Sequence, residues 1–408
     1  LIYSHIPLKI VDSIISLDKE TKLKIKDKIY NKTIEELRAE IFSEKFLDNI
    51  AITSFSSGTT NKFKGILRTY LNILKQGEYL YKNMDLTPKD TDFTNLPLFA
   101  LKNIYYNINT CLYYVSNWKK INAKEIINSL KKCTTITAST GLIKKIIDYC
   151  KLNKIVIENI RLVYTGGAPC YLKFLESIKE IFINSEIIVL YGSTEVEPVS
   201  HITLNELKLI EKKYNNKNST IDPKGVCVGK VIKEINVKII NPIKIYNFSD
   251  SFNFNNLTVG EIAIYGENVC NGYIPKEINQ NKINIDNKLY HKIGDIGYFD
   301  ENNNLWILGK NEDKMIYNNS FIFPLQVEKV VDSLDFVEKS AFLIDNKNNK
   351  AIIVIKPLKK DRKTKKIIEK KVFEIFSSIF PNLVVIFKDI PLDKRHNAKI
   401  NYSKLKSL

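Results

Sequence analysis

The chain has 408 residues, 44% of them hydrophobic and 26% charged, with a formal net charge of +17. That length excludes one small domain and suits two or three, and the balance is that of an ordinary soluble globular protein. The positive charge is nearly all lysine, scattered among Asn and Ile, so it does not by itself mark a nucleic-acid or anionic-membrane partner.

In chain order, residues 1–49 read as lysine-rich helices, and Thr33-Ile34-Glu35-Glu36 is a capping-box start for an amphipathic helix to about Leu47. The first residue is Leu1, not an initiator methionine. Ile50-Ala51-Ile52 predicts a strand and the apolar spacing over 66–80 predicts a helix. Between them runs Ser54-Phe55-Ser56-Ser57-Gly58-Thr59-Thr60-Asn61-Lys62-Phe63-Lys64-Gly65. A loop there offers backbone N–H groups, hydroxyls and two lysines to one small volume, as a polyphosphate requires. Gly58 and Gly65 allow close backbone approach. It is not a Walker A loop, since no glycine-lysine-Ser/Thr follows Gly58 at the required spacing. A polar surface turn is the plainer reading of the same residues.

Further on, Leu96-Pro97-Leu98-Phe99-Ala100 and Thr134-Thr135-Ile136-Thr137-Ala138 read as buried strands. The stretch 96–115 is interrupted by Lys102, Asn103, Asn107 and Asn109, so it is core and not a transmembrane segment. Helical spacing runs over 142–149 and 172–183. Two strands end in Gly-containing turns: Arg161-Leu162-Val163-Tyr164 before Thr165-Gly166-Gly167-Ala168-Pro169, and Ile187-Ile188-Val189-Leu190 before Tyr191-Gly192-Ser193-Thr194-Glu195. Ligands in open α/β sheets sit beyond the carboxyl ends of strands, so these tips and the loop at 54–65 describe one cleft.

Two Asn-rich tracts, 214–220 and 247–256, read as surface loops, and strands are expected at 235–239 and 261–265. After Gly309, strands at 340–344 and 351–355, a helix over 363–380 and a strand at 383–387 make a compact α+β unit, with a boundary near Lys310-Asn311-Glu312. The basic run over 359–366 has no interleaved aromatics and opens that helix, which favours a solvated face over a nucleic-acid patch. Cys111, Cys133, Cys150, Cys170, Cys227 and Cys270 lack any CxxC spacing and read as reduced thiols of a cytoplasmic protein.

Ser56, Ser57, Gly58, Thr59 and Thr60, with Lys64 and Gly65, resemble the phosphate loop of the adenylate-forming superfamily of acyl-CoA synthetases, luciferases and peptide-synthetase adenylation domains. Asn61 stands where glycine is usual and Phe63 where proline is usual. The resemblance covers residues 50–408, with five motifs in order, and it implies an α/β fold with ATP and Mg²⁺ as cofactors. It also implies a large core domain over 1–310, incomplete at its N-terminus, and a small mobile α+β domain over 311–408. Tyr191, Gly192, Ser193, Thr194 and Glu195 would form the second core motif: Tyr191 against adenine, Thr194 on the α-phosphate, Glu195 on Mg²⁺. A hydroxyl and a carboxylate suit the last two tasks. Gly166, Gly167 and Ala168 would flank the adenine, and Asp295, in His291-Lys292-Ile293-Gly294-Asp295, would grip the ribose hydroxyls. An Asx-type turn is the plainer reading of Asp295. Gly272-Tyr273 is assigned to packing. Lys310 occupies a hinge position that is normally arginine, keeping the charge without the bidentate fork. Lys399, in Arg395-His396-Asn397-Ala398-Lys399-Ile400, would be the catalytic lysine, with His396 structural.

Short stretches such as Pro97-Leu98-Phe99-Ala100-Leu101 and Glu195-Val196-Glu197-Pro198-Val199-Ser200 resemble olefin β-lactone synthetases and fatty-acid–CoA-ligase-like members. Ile316 and Asn319 stand where thioester formers carry lysine and glycine, which counts against coenzyme A as a second substrate. The resemblance therefore implies activation of a long-chain fatty or 3-hydroxy fatty acid as acyl-AMP, followed by β-lactone formation. The alternatives are a long-chain fatty acid–CoA ligase and a non-catalytic nucleotide-binding remnant.

Overall fold

The computed structural model describes residues 47–57, 63–115, 117–215, 224–248, 256–274, 281–345, 348, 350–393 and 398–406. The helix expected over 33–47, the loop residues Gly58, Thr59, Thr60, Asn61 and Lys62, most of the Asn-rich tracts, and His396 lie outside the described residues, apart from Leu47 itself.

β1 (Ile50–Ser57) and β2 (Phe63–Thr69) form an antiparallel hairpin, and α1 (Tyr70–Asn83) follows. This corrects the expected strand, loop and helix: the residues after 63 are strand because they pair with β1 from Ser57 opposite Phe63 to Ile50 opposite Thr69. The helix starts only where Thr69 can cap it. The Thr69 hydroxyl accepts from Asn72 N at 3.2 Å and Asn72 Oδ1 accepts from Thr69 N at 3.0 Å, a reciprocal cap.

The alternating section comprises β3 (Thr91–Thr94), α2 (Pro97–Tyr105), β4 (Asn109–Leu112), α3 (Ala123–Leu130), β5 (Thr135–Ser139), α4 (Thr140–Asn153), β6 (Leu162–Gly166), α5 (Leu172–Ile181) and β7 (Glu186–Ser193). Residues 96–100, expected as a strand, open α2 instead. Proline cannot donate to a strand ladder but fits the first turn of a helix, where its missing N–H costs nothing. Thr94 Oγ1 accepts from Leu96 N at 3.1 Å as the chain leaves β3. β5 is buried on both faces despite its hydroxyls, because Thr135 and Thr137 both donate to Asp92 Oδ1, at 2.9 and 3.0 Å. A buried hydroxyl with a partner is tolerated where an orphan is not.

β8 (Val196–Thr203), α6 (Leu204–Asn215), β9 (Val226–Val231), β10 (Asn236–Ile240), β11 (Gly260–Tyr265), β12 (Gly272–Ile274), β13 (Lys282–Ile285), β14 (Lys288–Phe299) and β15 (Leu305–Lys310) complete the larger part. The main sheet has the order β10-β11-β14-β15-β9-β8-β7-β6-β5-β3-β4, with β13 on β14. Strands β4 to β7 in that row are parallel and the rest antiparallel. β12 leaves the sheet and pairs with β2, Tyr273 opposite Ile66. That pairing carries the strand assigned to packing up beside the loop at 54–65.

After Lys310 come β16 (Met315–Tyr317), β17 (Ser320–Ile322), α7 (Pro324–Ser333), β18 (Val337–Asp345), β19 (Lys350–Pro357), α8 (Arg362–Phe376), β20 (Leu383–Phe387) and α9 (Tyr402–Lys406). The strands β18-β19-β20 form a sheet over a cluster that includes Phe342, Ile353, Ile368, Val372 and Phe376. α8 stops four residues short of the expected 380, because Phe380 precedes Pro381 and a residue before proline is disfavoured in the helical region. The basic run is a solvated face as expected: Lys359, Lys360, Arg362, Lys363 and Lys366 are exposed, while Thr364 and Ile368 face inward.

Glu328 on α7 is only 3% exposed and accepts from Phe342 N at 2.9 Å and from the hydroxyl of Tyr402 on α9. Burial pushes its carboxyl up to about 8 against those donors. A folded-state value above the unfolded 4.5 contributes stability that is present below 4.5 and lost as pH rises through about 8. Glu328→Gln keeps the accepting oxygen without the charge, so its melting temperature should fall less than that of the unmutated protein between about pH 5 and 9. Parallel pH profiles of the two proteins would refute this.

Candidate active site

The loop carrying Glu195 is a tight turn between two strands. β7 runs on through Ser193, Thr194 and Glu195 turn, and β8 returns, with Ser193 opposite Val196. The motif expected as a turn beyond a strand end therefore begins within the strand. Gly192 is needed there, since a Cβ would lie 2.9 Å from Val196 O. The turn is pinned from β2 and from the residue at 270. Arg68 donates to Thr194 O and, at 2.8 Å, to Gln76 Oε1, and Cys270 N donates to Glu195 O at 2.8 Å.

The Glu195 carboxylate faces the hairpin sheet. Lys64 Nζ lies 2.7 Å from Glu195 Oε1, in a pair with 22% and 12% of the respective side chains exposed. The Tyr273 hydroxyl donates to the same oxygen at 3.3 Å and is 3.0 Å from His291 Nε2. Lys64 also lies over the Tyr273 ring, 4.7 Å from its centroid. Burial alone would raise the Glu195 carboxyl, yet the Lys64 ammonium outweighs it and holds the group at about 2. Burial lowers His291 to about 4 against the pull of Glu195, so its ring is neutral at pH 7.

A second charged group sits on β14 and β15. Asp295 is directly opposite Lys310 in the ladder, so the strand register makes the pair of Asp295 Oδ1 with Lys310 Nζ at 2.6 Å. The Tyr191 hydroxyl donates to Asp295 Oδ2 at 2.7 Å. Burial first, then the facing Asp295 charge, raises the Tyr191 phenol well above its ordinary value. Burial would lower Lys310, but Asp295 reverses the sign and raises it.

Gly166 ends β6 where a Cβ would lie 2.3 Å from Leu190 O, and Gly167 has φ +81° with open space where its Cβ would be. Ala168 follows, half-buried. That is a ledge able to take a flat ring on backbone. Lys399 is exposed as a residue, although surrounding protein partly desolvates its ammonium, and its backbone is held by Asp393: Lys399 N donates to Asp393 Oδ1 at 2.8 Å and Asp393 N donates to Lys399 O at 2.8 Å. Burial of the ammonium, then the Lys310 charge, lowers it, while Asp295, Asp393 and Glu195 pull it back. Lys399 is thus within electrostatic reach of both charged pairs.

The structure brings together Lys64, Tyr191, Gly192, Ser193, Thr194, Glu195, Asp295, Lys310 and Lys399, with Gly166, Gly167 and Ala168 on the neighbouring strand end. Ser56 and Ser57 are on β1, with Ser56 opposite Lys64. Sequence reasoning missed Arg68, Tyr273 and His291. Arg68 did carry a signal: in a chain whose cations are nearly all lysine, an arginine at a strand end asks for a fork-shaped partner.

Among the described residues no group of three or more His, Cys, Asp or Glu could hold a metal ion. Glu195 alone still fits Mg²⁺, which takes one or two carboxylates and completes its shell with phosphate oxygens and water. Among the described residues no helix is long and apolar enough to cross a membrane.

The turn bearing Glu195, the Asp295–Lys310 pair and the glycine ledge all stand on inner strands of one mixed sheet. The AMP-binding enzyme family matches residues 6–274, more than half the chain, and the protein belongs to that family. It is 26% identical over 299 residues to a 2-succinylbenzoate–CoA ligase of Listeria innocua, across 72% of this chain and 56% of the relative. It is 22% identical over 379 residues to an olefin β-lactone synthetase of Xanthomonas campestris, across 88% of this chain and 66% of the relative. Among solved structures, ATP-bound MatB from Rhodopseudomonas palustris superposes with a TM-score of 0.68 at 17% identity, over 88% of this chain and 68% of that one. The chain spans little more than half the length of the 2-succinylbenzoate–CoA ligases it matches.

The ribose assignment for Asp295 has a direct test. Asp295→Ala should weaken ATP binding by a few kcal/mol at most, about the worth of two charge-assisted hydrogen bonds. Because the mutation also strands Lys310, the cleaner measurement uses unmutated protein and an ATP analogue lacking both ribose hydroxyls. Equal affinity for the analogue and ATP would remove Asp295 from the ribose.

Proposed function

We propose that the protein activates a carboxylic acid with ATP and Mg²⁺ to an acyl adenylate, and that the acid is a long-chain fatty or 3-hydroxy fatty acid. The observation that carries the activation step is the convergence of Glu195, Asp295, Lys310 and Lys399 beside the glycine ledge. In this reading Gly166, Gly167, Ala168 and Tyr191 take the adenine, Asp295 the ribose, and Thr194 the α-phosphate. Ser56, Ser57, Gly58, Thr59, Thr60 and Lys64 take the outer phosphates. Glu195 would hold Mg²⁺, whose charge offsets that of the phosphates. A carboxylate oxygen of the acid attacks the α-phosphorus and pyrophosphate leaves, with Lys399 placed to meet the charge on both reactants.

Pyrophosphate release from ATP, measured with no acid, with a fatty acid, with a 3-hydroxy fatty acid and with 2-succinylbenzoate, tests this. Release with 2-succinylbenzoate alone would reassign the substrate, and none with any acid while ATP binds would leave a nucleotide-binding remnant. A thioester-forming reading also has support. Asn318 and Asn319 both take left-handed backbone, with φ of 48° and 57°, so asparagine supplies the turn conformation that glycine would. The absent lysine at Ile316, which is 56% exposed, is the remaining difference.

A further inference from the structure

Two groups meet behind Glu195 that the adenylation chemistry does not use, Tyr273 and His291. Tyr273 and His291 are each 1% exposed. Tyr273 OH lies 3.0 Å from His291 Nε2 and 3.3 Å from Glu195 Oε1, while Lys64 takes that same oxygen at 2.7 Å. His291 Nδ1 is buried and has no hydrogen-bond partner among the described residues.

A hydroxyl has one hydrogen to give. The Asn281 side chain also bonds the Tyr273 oxygen; a carboxylate can only accept, so with the Tyr273 hydrogen on Glu195 the second lone pair of the phenol oxygen takes a hydrogen from His291. That requires the ring proton on Nε2 and leaves Nδ1 as a bare lone pair, a cheaper orphan than a buried N–H. The alternative tautomer would leave an N–H unpaired and direct the Tyr273 hydrogen away from Glu195. The chain His291 to Tyr273 to Glu195 Oε1 is therefore polarised in one direction, and bonds in such a chain strengthen one another.

We infer that Tyr273 and His291 are positioning residues for Glu195. They fix Oε1 toward Lys64 and so leave Oε2 as the oxygen that would meet the nucleotide's divalent cation. Outer-shell partners of this kind orient a metal ligand without touching the metal. The pairing of β12 with β2, with Tyr273 opposite Ile66, holds the Tyr273 ring beside Lys64 and its hydroxyl on Glu195.

The inference rests on the proposed binding of ATP with Mg²⁺, and two measurements separate its failure from that of the binding itself. The first is the ring ¹⁵N spectrum of the ligand-free protein, in which the chain's four histidines are assigned by substitution. His291 should show the Nε2-protonated neutral tautomer; an Nδ1-protonated ring would overturn the relay whether or not ATP binds. The second is ATP affinity by titration calorimetry, with Mg²⁺ and with EDTA. Tyr273→Phe, which keeps the ring, should weaken binding with Mg²⁺ about tenfold and leave binding in EDTA unchanged. His291→Leu should behave like Tyr273→Phe, whereas His291→Gln, whose amide can donate as Nε2 does, should restore most of the affinity. An equal loss in both buffers, or none in either, would make the pair structural only.

Discussion

Lys399→Ala is expected to slow acid-dependent pyrophosphate release about 10²–10³-fold, the usual cost of removing one preorganised donor from developing charge, while ATP affinity stays within a few-fold. The Lys399 backbone is tied on both sides to Asp393, so the side chain projects from a fixed point. Around it stand three carboxylates, Asp295, Asp393 and Glu195, and the competing cation Lys310, and Asp393 already accepts from the backbone N–H groups of Ala398 and Lys399. Asp295 is already neutralised by Lys310 at 2.6 Å and Glu195 by Lys64 at 2.7 Å. Lys399 therefore adds little to ground-state attraction, and its charge is left for the moment when the acid and the α-phosphate join. An interaction made only then lowers kcat and kcat/KM together and leaves binding alone. Equal loss of binding and turnover would show instead that Lys399 is one more phosphate-binding cation. Its lowered ammonium adds a second check: the alkaline limb of the rate profile should fall below the free-lysine value of 10.5, and Lys399→Arg, always charged, should remove that limb if it is active.

Much of the site was legible because its residues sit in short runs. Tyr191 through Glu195 and Gly166 through Ala168 keep their sequence order at strand ends, where an α/β sheet puts ligands. The β18–β19 pair and β20 follow from alternation and apolar runs in the same direct way. What failed was arbitration between periods. Residues 66–69 have helix-compatible spacing, yet they find a strand partner in β1, and only the Thr69 and Asn72 cap tells where the helix begins. At 96–100 the apolar run outweighed Pro97 in the reading, although proline was the better guide. The pairs that set the electrostatics were out of reach for another reason. Lys310 meets Asp295, and Tyr273 meets Glu195, through strand register across 15 and 78 residues of chain. No local pattern encodes such a meeting.

The last expected result concerns the product. Incubated with ATP and a 3-hydroxy fatty acid, without coenzyme A, the protein should yield a β-lactone, and a plain fatty acid should stop at the adenylate. Formation of the lactone joins the substrate's own hydroxyl oxygen to the activated acyl carbon, releases AMP and returns the hydroxyl proton to solvent or a nearby base. The nucleophile arrives tethered, so its effective concentration exceeds that of any diffusing thiol. Such an enzyme has no need of a cation at Ile316, whose exposed side chain on β16 offers nothing to a thiol's phosphates. Against this stands the turn at Asn318 and Asn319, whose left-handed backbone gives position 319 the conformation a glycine would take and so leaves the loop's path open to a thioester former. The two outcomes differ in kind, and mass spectrometry with and without coenzyme A separates them. A coenzyme A thioester of the plain acid would assign the protein to the ligases and show that Ile316 tolerates the thiol. In that case Ile316→Lys should raise the thioester rate further. If lactone forms instead, the same substitution should leave its rate unchanged, because nothing in an intramolecular closure passes that side chain.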